Sequence, residues 1–359
     1  MQVIDCDAHI DETEDTWEFL AADEQHFKPT TGYPSNPDPT RPPTRYWMID
    51  GHRQPRLHRD DKRSQTTVET RELLDPMARV RHMDELGTEV QVIYPSLMLV
   101  GVTENPVVET ALRRAYNRWL ADRTEKTGGR LRWVCLPPMS NIEAAIEEMR
   151  FAKAHGACGI FKKGDREGGH WVSEEYFYPI WEECQRLDMA VCFHTGSGTP
   201  DFTSAKEFDH ARYMRISVPP LNAFQALVTF NVPYKFPGVR WGFIEAGSSW
   251  VPYLVYKIIR GASKGSRRAS GGYAYTDKSD VVRLNNLYVT CQVDEDLPYI
   301  MQYTGEDRLL VGSDYTHADP SEERHFALHL QERADKGEIP QSAVRRITYD
   351  NGKAFYGLS

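Results

Sequence analysis

Eight short apolar runs, rich in β-branched and aromatic residues, recur along this chain with room for a helix between most of them. They are VIDCDAH (3–9), EVQVIYP (89–95), LRWVCLP (131–137), ACGIFKK (157–163), AVCFHTG (190–196), VRWGFIEAG (239–247), LYVTCQV (287–293) and LLVGSDY (309–315). Between them lie helical patterns such as NPVVETALRRAYNRWLADRTEKTG and NIEAAIEEMRFAKAHG. Several of these end in Gly, which tolerates the left-handed conformation that stops a helix. Parallel strands cannot be joined by tight turns and need a crossover, usually helical. The alternation therefore predicts an α/β fold, a (β/α)8 TIM barrel, as one domain over 1–359. The 359 residues are 40% apolar, enough to fill such a core.

Two stretches break the rhythm. Residues 27–66 are rich in proline and charge, with little periodicity, and read as a long loop after strand one, a lid or an oligomer arm. Residues 261–286 contain GASKGSRRASGG and read as a mobile loop after strand six. In a barrel both are expected on the C-terminal face, where active sites lie. Acidic residues outnumber basic ones, 52 to 43, which argues against a nucleic-acid surface. The chain lacks an apolar run of about 18 residues, so no membrane span is expected. Its start has no charged and apolar leader pattern. The six cysteines form no Cys-x-x-Cys pair and most lie in strand-like runs. They are expected to be reduced core thiols in a cytoplasmic protein.

The strand ends carry the chemistry. Side chains alternate along a strand, so Asp5, Asp7 and His9 share one face. Unpartnered buried carboxylates cost several kcal/mol, so these need a cation: a metal ion or arginine. Strand five ends at His194, strand six at Glu245 and strand eight at Asp314, with His317 just beyond. A lone core histidine is more often structural. Carboxylates and imidazoles ending four separate strands instead suit a divalent ion such as Zn, Mn or Fe. Asp5 lies deeper and is expected to hydrogen-bond only. The expected ligands are Asp7, His9, His194, Glu245, Asp314 and His317. Six such side chains exceed what one ion with an open position can use, so two ions per chain are expected.

Four motifs, the opening DCDAH, FHTG at strand five, GSDYTHAD at strand eight and the closing ITYDNGKAFYGL, together resemble the amidohydrolase superfamily. The branch is the one that includes aminocarboxymuconate-semialdehyde decarboxylase, and the resemblance runs nearly end to end. It implies that Asp7 and His9 are the strand-one ligand pair and His194 the strand-five ligand. It implies that Asp314 binds metal or handles the proton of a metal-bound water. The branch commonly has histidine where this chain has Glu245. Binuclear members carry a carboxylated, bridging lysine at the end of strand four, where this chain has Lys162 and Lys163; a substrate clamp or a solvated edge is the alternative.

The expected activity is metal-dependent hydrolysis or non-oxidative decarboxylation of a small carboxylated or amide substrate, with Asp314, His317 and Lys163 serving catalysis. The carboxylate-rich set also suits a dinuclear non-haem iron, or iron–manganese, monooxygenase on the same fold. Arg215 and Arg240 could bind a substrate carboxylate, and Tyr33, Tyr46 and Trp47 could line its pocket. The expected partners are a small molecule and a second copy, as a homo-oligomer, or a related subunit.

Overall fold

The computed structural model describes residues 2–33, 45–56, 59–198, 208–264, 272–318 and 320–358. Its strands are β1 (Ile4–His9), β2 (Thr30–Gly32), β3 (Tyr46–Ile49), β4 (His52–Pro55), β5 (Val90–Tyr94), β6 (Leu131–Cys135), β7 (Ala157–Lys162), β8 (Ala190–His194), β9 (Trp241–Ile244), β10 (Leu287–Thr290) and β11 (Leu309–Leu310). Eight of them, β1 and β5 through β11, form one sheet in that order, and the pairs within it are parallel. The sheet curls until its edges meet. Cys6 N–H donates to the Val311 carbonyl at 3.1 Å, Asp314 N–H to Asp7 at 3.0 Å and His9 N–H to Tyr315 at 2.9 Å. The result is a nearly closed (β/α)8 barrel ringed by helices.

Only Gly fits at position 312 in that seam. A Cβ there would stand 2.3 Å from the Asp7 Cβ. The helices begin where polar caps stand before them. Asn105 caps Pro106–Thr124 and Asn141 caps Ile142–Ala154, each side chain accepting a backbone N–H of the first turn. Trp133, Trp181 and Trp241 are fully buried in the layer that joins strands to helices. No helix among the described residues is long and apolar enough to cross a membrane.

Both insertions differ from the loops that composition suggested. The first carries β2, β3 and β4, a small antiparallel sheet in the order β2–β3–β4. Its residues 34–44, 57 and 58 lie outside the described set. Short strands of a few residues leave no periodicity to read, and their charges serve anchoring. Arg56 bonds Glu14 at 2.5 Å and Arg59 bonds Asp11 at 2.8 Å, tying the insertion to the chain just beyond β1. The second insertion, 261–286, begins inside a helix, Val251–Ser263, whose Val251, Leu254, Val255 and Ile258 are buried. Its described residues 272–286 include the short helix Asp280–Leu284 and lead into the start of β10. Residues 265–271 lie outside the described set.

Candidate metal centre

The ends of β1, β8 and β9 and the chain after β11 bring Asp7, His9, His194 and Glu245 together, and alongside them His9, Glu245, Asp314 and His317. Within each group one ligand atom per residue lies within 4.8 Å of the others. All six residues named from the sequence thus converge. Asp7, His9, His194 and Asp314 are almost completely buried.

Backbone carbonyls orient two of the imidazoles. His9 Nδ1 lies 2.8 Å from the Pro95 carbonyl and His194 Nδ1 lies 2.9 Å from that of Thr195. A carbonyl can only accept, so each Nδ1 carries a proton and each ring turns its Nε2 inward. There His194 Nε2 stands 3.2 Å from Asp7 Oδ1 and 3.3 Å from Glu245 Oε2. His9 Nε2 stands 3.4 Å from Asp7 Oδ1 and 3.5 Å from Asp314 Oδ1, without a hydrogen-bond partner among the described residues. An Nε2 that faces carboxylates calls for positive charge there, either a second proton on the ring or a cation between ring and carboxylate. Electrostatics carries the same message. Burial opposes charge on His194, yet Asp7 and Glu245 outweigh it and push its pKa up to about 9. Burial also opposes ionisation of Asp7, but the His194 and His9 imidazoles hold its carboxyl well below the usual range. The residues present fit a divalent ion.

His317 differs from the other two. Its ring stacks on His9 with centroids 3.9 Å apart. Nδ1 lies 2.7 Å from Asp314 Oδ1, and Nε2 lies 3.1 Å from the Ser96 hydroxyl. Burial, then the charge of His9, lowers its pKa well below the ordinary value. A neutral ring that donates to Asp314 accepts from Ser96. Glu12 in turn holds the Ser96 segment, accepting the N–H groups of Ser96, Leu97 and Met98 at 3.2, 2.8 and 3.3 Å.

Backbone strain marks the same place. Glu245, Asp314 and Thr316 have φ of 56°, 51° and 82°, the left-handed region that non-glycine residues rarely adopt. The strained turns aim the Glu245 and Asp314 carboxylates into the barrel mouth. Ser321 stands beside both, its hydroxyl 2.6 Å from Glu245 Oε1 and 3.2 Å from Asp314 Oδ2.

The remaining candidates fall elsewhere. Asp5 bonds the Ser313 N–H, the Ser313 hydroxyl and Gln91 at 2.8, 2.5 and 2.9 Å, outside the cluster. Lys162 Nζ is engaged by Glu167 at 2.9 Å and by the Lys163 carbonyl at 2.8 Å, and these bonds argue against a bridging carbamate. Lys163 lines a cavity of about 760 Å³ with Glu109, Arg113 and Glu167. Arg240 precedes β9 and bonds Asp188 at 2.5 Å and the Phe355 carbonyl at 2.6 Å, so it stands at the wrong end of the barrel for substrate. Arg215 and Trp47 do line a cavity of about 150 Å³ together with Asp11, Glu12, Arg56 and Ser96. Tyr46 lies under Arg53 and Tyr33 is exposed. Ser96, Ser321 and Glu12 escaped notice in the sequence. Only Glu12 left a trace there, as an acid three residues beyond His9.

A family model described as amidohydrolase matches residues 4–358. A curated relative, 2-amino-3-carboxymuconate-6-semialdehyde decarboxylase of Dictyostelium discoideum, is 20% identical over 67% of this chain and 66% of its own length, just under two thirds. Among solved structures, an amidohydrolase of Mycobacterium avium subsp. paratuberculosis superposes with a TM-score of 0.78 at 18% identity, covering 99% of this chain and 98% of that one. A dihydroxybenzoic acid decarboxylase of a Polaromonas species, with bound manganese and 2-nitroresorcinol, gives a TM-score of 0.62 at 20% identity, covering 99% and 97%.

Proposed function

Because the chain belongs to the amidohydrolase family, we propose that it is a metal-dependent enzyme that decarboxylates, or hydrolyses, a small carboxylated substrate. One observation carries this reading. His9 and His194 are each tied by Nδ1 to a carbonyl, and each turns Nε2 onto buried carboxylates. Asp7, His9, His194 and Glu245 would hold a divalent ion. When bound, that ion holds a substrate oxygen and stabilises developing negative charge.

The chain's own residues do the rest. Asp314, fixed against His317 Nδ1 at 2.7 Å, is the proton-handling group. In decarboxylation the carbon that loses carbon dioxide takes up a proton, and Asp314, protonated beforehand from solvent, would deliver it. In hydrolysis the same carboxylate accepts a proton from water. Trp47 offers an apolar wall to the neighbouring cavity, and Arg56 and Arg215 offer positive charge to an anionic substituent. The decarboxylases among the similar proteins favour decarboxylation of the two.

The test is metal analysis of protein purified without chelator, with carbon dioxide release measured across hydroxylated aromatic acids and carboxymuconate-type acids. We expect at least one divalent ion per chain and turnover of one such acid. The His9→Ala variant should lose the ion while keeping its far-UV circular dichroism. Full metal occupancy in that variant would overturn the reading. A second reading rests on the overlapping group His9, Glu245, Asp314 and His317. A second ion there would make the site dinuclear and suit iron-dependent oxygenation. Two irons per chain together with oxygen uptake would favour that chemistry.

A further inference from the structure

The turn that presents Glu245 is held from behind by a carboxylate outside the cluster. After Glu245, at φ 56°, the chain passes Gly247, at φ 62°, and enters Ser248 and Ser249 ahead of the helix Val251–Ser263. Both serines aim everything they can donate at Glu295. Ser248 gives its N–H at 2.8 Å and its hydroxyl at 2.6 Å; Ser249 gives its N–H and its hydroxyl, each at 2.7 Å. Gln292 adds its N–H at 2.9 Å from the exit of β10. Five donors thus converge on one carboxylate, enough to fill the lone-pair positions of both oxygens. Trp250 closes the same turn, its Nε1 bonding the Ala246 and Gly247 carbonyls at 3.1 and 2.8 Å.

We propose that Glu295 is a positioning residue for Glu245: it clasps the exits of β9 and β10 and holds the strained turn that points Glu245 into the cluster. Left-handed backbone at a glutamate is strained and persists only where surroundings enforce it. The Glu295 clasp begins three residues beyond Glu245, on the same turn. Its five bonds are a second layer of the kind that orients a metal-binding carboxylate. Serine is suited to both positions because its hydroxyl adds a donor to each N–H. The inference rests on the reading that Glu245 holds the ion.

The experiment is titration of the metal-stripped protein with Mn²⁺, followed by electron paramagnetic resonance, in the wild type, Glu295→Gln, Glu245→Gln and the double variant. A glutamine at 295 turns an amide N–H against the serine donors. We expect Glu295→Gln to weaken Mn²⁺ binding about 10- to 100-fold, and to do nothing further once Glu245 is already Gln. Equal affinity of Glu295→Gln and wild type overturns the proposal, as does an additive loss in the double variant. If Glu245→Gln alone binds Mn²⁺ like wild type, the ligand assignment of Glu245 falls, and this inference with it. Should Glu295→Gln unfold, Ser248→Ala with Ser249→Ala removes two hydroxyl donors while keeping both N–H bonds. That variant should lower affinity in the same non-additive way, and unchanged affinity there overturns the proposal.

Discussion

Glu12 is a charged side chain placed where charge is costly, and it supports a prediction of its own. Burial, only partly offset by backbone N–H donors, pushes its pKa up to about 7 from 4.5. The folded chain then holds a proton that the unfolded chain releases between about pH 4.5 and 7. Stability from this group is therefore highest at low pH and declines as pH rises through that window. Glu12→Gln, neutral throughout, should gain on the wild type by up to about 3 kcal/mol between pH 5 and pH 8. Denaturant unfolding of both proteins at the two pH values measures this; a gap that does not change with pH would mean that Glu12 stays ionised throughout. At this scale the sequence was most informative about side chains that end strands. Asp7, His9, His194, Glu245 and Asp314 could be named because an apolar run stops at each of them. Ser96 and Ser321 could not, because a serine in a loop carries no such signal until its neighbours are known.

At the scale of elements, the seam between β1 and the chain after β11 does two jobs. It closes the barrel and sets Asp314 against Asp7 and His9. Gly312 makes that approach available. Gly312→Ala would place a methyl group 2.3 Å from the Asp7 Cβ, so the seam must part. We expect a loss of about 1–3 kcal/mol or more, together with weakened metal retention. Thermal unfolding and metal analysis on one sample would check both; an alanine variant with native Tm and full metal would show that the seam has slack. The elements were legible where period and length agreed, as in β1, β8 and the helix Pro106–Thr124. The helix Val251–Ser263 is less legible, since the glycines and serines that follow it read as a loop.

At the scale of the whole molecule, the cluster joins distant parts of the chain into one site. Residues 7 and 9, 194, 245, and 314 and 317 come from β1, β8, the end of β9 and the chain after β11. An ion bound there stabilises only the folded arrangement, because the unfolded chain scatters the ligands. At free metal about 100 times its dissociation constant the gain is about 2.7 kcal/mol. Restoring Mn²⁺ to chelator-treated protein should therefore raise Tm by several degrees, with Mg²⁺ as the comparison. Identical melting curves with and without Mn²⁺ would count against a cation at this site.

By itself the sequence determined the class of fold and the identity of the clustered groups. Both follow from local pattern: strand and helix periods, and polar residues that end apolar runs. What it left open are relations between segments far apart in the chain. Glu295 gathers Ser248 and Ser249, Glu12 fastens the Ser96 segment, and Ser321 stands between Glu245 and Asp314. Lys162 looked like a candidate bridge until Glu167 claimed its amine, and Arg240 looked like a clamp until the barrel put it at the opposite end. A hydrogen bond is decided by distance and direction to a partner, and periodicity specifies neither. Only the closed barrel, by fixing which strand ends and loops are neighbours, decides which polar groups meet.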